Sequence, residues 1–309
     1  MTSSPLERQL LAITGKGGVG KTTVAAAVGL LAAQRGLRTV VVEVGDQRRM
    51  GELFGLATEE AGVELELQEG LWSISIDPDR ALLEWLQALG GRVSGRILAS
   101  SNTFQYFAAA APGAKELVSM VKIWELTQGE RRRGRAAGSY DLVVLDAPAT
   151  GHALGMLHSP QTFGAIARVG PIAAQALRVD ELLKDPARAS YLAVTHATEM
   201  AVSETLELQD DLHRQLGRKL DAVLVNGVLP RRFTNDELRT IDTISRKDTV
   251  RRSAAVAAHA VHDRASFQHN QLARLRRRSV EVLGIPFVFS AELDLPAVRR
   301  IAEHLGRKL

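Results

Sequence analysis

No cysteine occurs anywhere in the 309-residue chain. Disulfides, thiolate zinc sites and cysteine-ligated iron–sulfur clusters are thereby excluded. Aromatic residues are scarce, at 5%, and no uninterrupted apolar run is long enough to span a bilayer. Met1 to Gln9 shows no charged-then-apolar leader pattern, so a cytoplasmic location is the expectation. An excess of one charge is lacking too. The 39 Lys and Arg against 35 Asp and Glu leave a formal +4, too diffuse to argue for a nucleic-acid partner. What is present, 45% hydrophobic residues over this length, suffices for the full core of a soluble globular protein.

One stretch organises the rest. Gly15-Lys16-Gly17-Gly18-Val19-Gly20-Lys21-Thr22-Thr23 fits G-x-x-x-x-G-K-[ST]. It follows the apolar run Leu10-Leu11-Ala12-Ile13 and precedes the helical pattern that begins at Val24. Glycines let backbone N–H groups turn inward on a polyphosphate, and the helix behind offers unpaired N–H groups and the positive end of its dipole. Lys21 is then expected on the β/γ-phosphates of ATP, and the Thr22 hydroxyl on Mg²⁺. Lys16 is unusual. A second cation this close to Lys21 calls for an anion between them.

The form K-G-G-x-G-K-T-T resembles the loop of a class of dimeric ATPases. That class includes the ParA/MinD positioning proteins, the nitrogenase iron protein, and the ArsA and tail-anchored-protein-targeting ATPases. The resemblance implies that Lys16 is catalytic and reaches across a two-fold interface to the nucleotide of a partner chain. A second block narrows the class. Tyr140-Asp141-Leu142-Val143-Val144-Leu145-Asp146 reads as a buried strand ending in an acid, placed to hold the Mg²⁺ hydration shell. From Asp146 to His152 the chain resembles the D-T-A-P-T-G-H switch of ArsA-type ATPases. Asp146, Thr150, Gly151 and His152 fall in register, while Ala147-Pro148-Ala149 stands for T-A-P. The resemblance implies that Thr150 and Gly151 sense the γ-phosphate, with His152 a structural hydrogen bonder rather than a general base. It also implies that Asn226, ending the strand pattern from Leu220, contacts the adenine edge.

The first switch departs from the family. Aligned on Leu53-Phe54-Gly55, Gly45 stands where the aspartate that positions the attacking water belongs, and Asp46 follows it by one residue. Asp46 either takes over that catalytic role after a small backbone shift or is a solvated loop acid. This departure puts hydrolysis in question more than binding.

Further strands are expected at 39–44, 71–76, 191–195 and 284–289, and helical segments at about 79–130, 155–185 and 231–283, with a final amphipathic helix from Leu295. The segment from Gly155 is expected to break at Pro160, Gly164 and Gly170-Pro171. Residues 131–135 read as a solvated basic loop. In the targeting ATPases, helices near 155–183 form a Met-rich client groove. The five Met here are scattered, which favours core packing.

The expected fold is one α/β domain over 1–309, doubly wound, with a mostly parallel sheet of about seven strands and inserted helices. The expected function is that of a dimeric ArsA-type ATPase using ATP and Mg²⁺, paired with an identical or a related chain. Its closure would act on an unidentified partner, for which an apolar protein client is one candidate. Arsenite is disfavoured as cargo, since no thiolate exists to bind it. The rival readings are a ParA/MinD-like positioning ATPase and a nucleotide-gated scaffold with little turnover.

Overall fold

The computed structural model describes residues 4–45, 48–57, 60–89, 113–128, 140–167, 170–245, 248–278, 281–290 and 292–309. Its strands are β1 (Leu10–Thr14), β2 (Thr39–Val44), β3 (Glu64–Gln68), β4 (Leu71–Ile76), β5 (Leu142–Asp146), β6 (Ala189–His196), β7 (Ala222–Val228) and β8 (Glu281–Pro286). They form one eight-stranded sheet in the order β3-β4-β2-β5-β1-β6-β7-β8. Every neighbouring pair is parallel except β3 with β4.

The central strands are apolar on both faces because helices cover both. Successive side chains alternate between the two cores. Leu10, Ala12, Val40, Val42, Val143 and Leu145 enter one. Leu11, Ile13, Val41 and Val144 enter the other. The first face is covered by α3 (Pro78–Leu89), α4 (Ala114–Leu126), α5 (Thr150–Ala167), α6 (Pro171–Lys184) and α7 (Glu199–Leu216). On the second face lie α1 (Lys21–Gln34), the short α2 (Met50–Leu53) and α10 (Leu295–Gly306). Between β7 and β8 the chain makes α8 (Asn235–Ser245) and the 28-residue α9 (Thr249–Arg276). The side chain of Asp248 caps α9 by accepting from Arg251 N at 2.7 Å.

The α/β doubly wound expectation holds, with differences at three places. The sheet has an eighth strand, β3, whose acid-rich sequence Glu64-Leu65-Glu66-Leu67-Gln68 hides its alternation. Leu67 is buried, and the charges lie along an antiparallel edge, where they discourage further pairing. The last strand lies at 281–286 rather than 284–289. Val282 and Ile285 are the core residues, the last bond of the ladder runs from Phe287 N to the Val228 carbonyl at 3.0 Å, and the rings of Phe287 and Phe289 are exposed. Finally, α5 runs unbroken through Pro160 and Gly164. Proline at 160 removes the N–H that the Met156 carbonyl would accept. The Ser159 hydroxyl donates to that carbonyl instead, at 2.8 Å. The break comes at Gly170-Pro171, where α6 starts.

Val298, Ile301 and Leu305 of α10 are buried against α1, as the amphipathic pattern of that helix requires. No helix among the described residues is long and apolar enough to cross a membrane. Trp124 packs partly buried against the core from α4. Phe104, Tyr106, Phe107 and the basic stretch 131–135 lie outside the described residues.

Candidate active site

The carboxyl ends of β1, β2 and β5 meet beside the start of α1. In the sheet register Ile13 faces Asp146, and Asp146 faces Glu43. The glycine-rich loop leaves β1 at Thr14 and enters α1 at Lys21. Gly15 sits at φ +142°, pressed so closely on β6 that a Cβ would lie 2.1 Å from the Val194 carbonyl oxygen. Gly20 caps α1 at φ +90°, with no side-chain hydrogen bond to the first N–H groups of the helix. A Cβ on Gly20 would lie 2.5 Å from Asn226 Nδ2. Only glycine fits both constraints at these two positions. The result is a helix of 14 residues whose amino end points its unpaired N–H groups toward the loop.

Lys21 and Thr22 are drawn to that same end. The Lys21 ammonium donates to the Lys16 carbonyl at 3.1 Å, so its side chain folds back over the loop. Thr22 Oγ1 donates to Asp146 Oδ2 at 2.6 Å. The other carboxylate oxygen, Asp146 Oδ1, is buried and without a hydrogen-bond partner among the described residues. Thr14 Oγ1 and Thr150 Oγ1 are buried and unpartnered in the same sense. An ionised carboxylate oxygen left dry and unpaired is costly, and a bound cation would offset that cost. The donor set, a hydroxyl and a carboxylate, suits a hard divalent ion such as Mg²⁺.

The electrostatics agree. Burial pushes the Asp146 carboxyl up to about 6, against the opposing pull of the Thr22 hydroxyl and the Lys21 charge. Burial likewise raises Glu43 to about 7, although two backbone N–H bonds oppose it. The Lys21 ammonium is shifted downward by burial, with Asp146 and Glu204 acting against the shift. Lys21 and Asp146 both lack solvation that a charged ligand could supply.

Of the residues singled out in the sequence, Gly15, Lys16, Gly17, Gly18, Val19, Gly20, Lys21, Thr22 and Thr23 form the loop and helix start, and Asp146 stands beside them. Asn226 lies against the loop and donates to the Val19 carbonyl at 2.9 Å, bracing it. Lys16 has an anion within its own chain: its ammonium is 2.8 Å from Glu204 Oε2 on α7, both side chains being about one-third exposed at 39% and 33%. That contact answers the need for an anion that the sequence placed on phosphate alone. His152 is exposed on α5. Asp46 lies outside the described residues. Sequence reasoning left Glu204 without a role. Glu43 was left without a role too, although a lone carboxylate inside Thr39-Val40-Val41-Val42-Glu43-Val44 is itself a signal.

A phosphate-type loop at the switch of a doubly wound sheet, with an acid one strand away, defines a nucleotide-binding α/β protein. The sequence model described as anion-transporting ATPase, the ArsA type, matches residues 8–170 and 164–285. The ATPase BagA of Mycobacterium tuberculosis is 30% identical over 239 residues, covering 73% of this chain and 67% of its own. A putative arsenical pump-driving ATPase of Halobacterium salinarum is 26% identical over 241 residues, covering 72% of this chain and 36% of its own. The arsenical pump-driving ATPase of Escherichia coli is 23% identical over 234 residues, covering 71% and 39%. This chain belongs to the anion-transporting ATPase family. Membership puts it among ATP-binding ATPases.

Proposed function

We propose that this chain binds ATP with Mg²⁺ at the loop 15–23 and hydrolyses it as part of a dimer, closure of which acts on a separate partner. The observation that carries the reading is the Thr22–Asp146 contact at 2.6 Å, with Asp146 Oδ1 buried and unsatisfied next to it. Thr22 and Asp146 would hold the metal, which when bound supplies charge neutralisation at the phosphate oxygens. The loop N–H groups and Lys21 would bind and orient the polyphosphate, whose charge favours the protonated lysine. With Asn226 Nδ2 committed to Val19, its Oδ1 is the atom left to accept from the amino group of adenine.

Lys16 would leave Glu204 on closure and neutralise charge on the nucleotide of the partner chain, identical or related. The pairing it gives up is a partly exposed ion pair of the kind worth about 0–1 kcal/mol, so release is easy. Asp46 is the candidate for positioning the attacking water. Its offset from Gly45 makes slow turnover the expectation. The arsenical cargo in the names of the relatives is not carried over, because a chain without cysteine has no thiolate for a metalloid. An apolar protein client is the partner class retained. A membrane-gripping role for the last helix is disfavoured by the burial of Val298, Ile301 and Leu305.

Titration calorimetry with ATP and Mg²⁺ tests the assignment. The parent should bind; Lys21→Ala should show no measurable binding, and Asp146→Asn should lose the Mg²⁺ dependence of affinity. Near-parental affinity in Lys21→Ala would refute the site.

A further inference from the structure

Arg38 stands immediately before β2, at the amino end of the sheet. The candidate active site lies at the carboxyl end, and the 14-residue α1 between them spans about 20 Å. The Arg38 guanidinium is 4.6 Å from the centre of the Trp72 ring and 5.7 Å from that of Tyr140. Both rings pack on the same core, with their centres 5.7 Å apart. They stabilise the positive charge, but they bring no oxygen to its five N–H donors. Arg38 Nε is buried without a hydrogen-bond partner, and no acid pairs with the guanidinium among the described residues. The neighbouring acid is engaged elsewhere: Asp141 Oδ2 accepts from the Arg38 backbone N at 2.8 Å. The same guanidinium borders a cavity of about 660 Å³ between the end of α1 and the β3–β4 turn. Ala33 and Leu37 supply apolar lining, Gln68 and Glu69 polar lining, and Trp72 is shared with the stack. That turn is tied to the start of β2, since Thr39 N donates to the Gly70 carbonyl at 2.9 Å. The volume falls inside the range of roughly 300–1,000 Å³ typical of small-molecule sites.

We propose that this cavity binds a small zwitterionic carboxylate, a free amino acid or a close analogue, with its carboxylate on the Arg38 guanidinium and its ammonium group toward Glu69. A buried cationic N–H without an acceptor is costly, and a ligand oxygen removes that cost. A carboxylate fits best, because its two oxygens match the guanidinium fork that Trp72 and Tyr140 hold in place. A bare anion fits less well. Glu69 borders the same cavity and repels it, whereas an ammonium group turns that repulsion into attraction. Two opposite charges on one cavity thus set the ligand class. Lysine in place of Arg38 keeps the charge but loses the fork.

The site is separate from the nucleotide loop, and its test uses no nucleotide. The probes are an equimolar mixture of the common free amino acids, then its members singly, with acetate and inorganic phosphate as anions lacking an ammonium group. Binding is followed by titration calorimetry and by the Arg38 Nε–H resonance in nitrogen-15 spectra, identified by its loss in Arg38→Lys. Circular dichroism checks the fold of each variant. Saturable binding of at least one amino acid, with a Kd of about 1 mM or tighter, is the expected result. The Nε–H proton should move downfield as it gains an acceptor. Arg38→Lys and Glu69→Gln should each weaken that binding at least about tenfold, and acetate and phosphate should bind more weakly than the amino acid by a similar factor. No saturable response to the mixture overturns the proposal, as does undiminished binding by Arg38→Lys. Acetate or phosphate binding as tightly as the amino acid, or parental affinity in Glu69→Gln, overturns the zwitterionic class. If Arg38→Lys fails to fold, the parent decides: heat of binding with no movement of any arginine Nε–H resonance places the ligand elsewhere and overturns the site.

Discussion

Glu43 and Asp146, facing each other across β2 and β5, make the pH dependence of this protein a property of single residues. Burial raises Glu43 to about 7, above its value in an unfolded chain, and acts on Asp146 in the same direction. Between roughly pH 4.5 and 7 the folded protein thus holds more protons than the unfolded one, and stability falls as pH rises through that window. For Glu43 the full effect is on the order of 3 kcal/mol. The stability of the parent relative to Glu43→Gln, measured by urea unfolding without nucleotide or metal, should therefore decline from about pH 5 to about pH 8. A difference that stays constant with pH would contradict the burial argument. At this scale the loop spacing singled out Lys21 and Thr22, the strand pattern ending in an acid singled out Asp146, and the Thr22–Asp146 contact joins positions 124 apart in the chain. Glu204 was not legible as the partner of Lys16, because the sequence gives no distance between a loop and a helix of another βα unit.

Among the elements, α5 shows where sequence rules give way to a local substitute. A proline inside a helix normally breaks or kinks it, at a cost of about 3 kcal/mol or more. Here the orphaned Met156 carbonyl is satisfied by Ser159, itself buried at 3% exposure. Ser159→Ala should therefore destabilise the fold by about 1–3 kcal/mol, the cost of a buried acceptor left unpaired, as read from the denaturation midpoint. An unchanged midpoint would mean that the serine plays no such part. The other differences have similar causes. Strand β3 was hidden because Glu64 and Glu66 belong to an edge, where charge is tolerated and apolar alternation weakens. The last strand was displaced because Phe287 and Phe289 carry high β-propensity yet lie at and beyond its final pairing, with both rings exposed. The central strands were read correctly, since burial on both faces makes them continuous apolar runs.

For the whole molecule, the central claim is that two chains share the work at each nucleotide. Within one chain Lys16 rests on Glu204, where it neutralises a carboxylate and does no chemistry. A cation held by a partly exposed ion pair beside a phosphate loop would be available to a second chain closing over it, as proposed. The specific ATPase activity should then rise with protein concentration until the dimer saturates. Lys16→Ala should bind ATP about as tightly as the parent yet lose both turnover and the ATP-dependent shift to dimer. The most direct measurement is ATPase activity per chain on dilution, followed together with sedimentation, for the parent and Lys16→Ala. Activity that falls away with the parent dimer, and is missing from the variant at every concentration, is the predicted result. Activity per chain that stays flat where only monomer sediments, with Lys16→Ala still turning over, would contradict it.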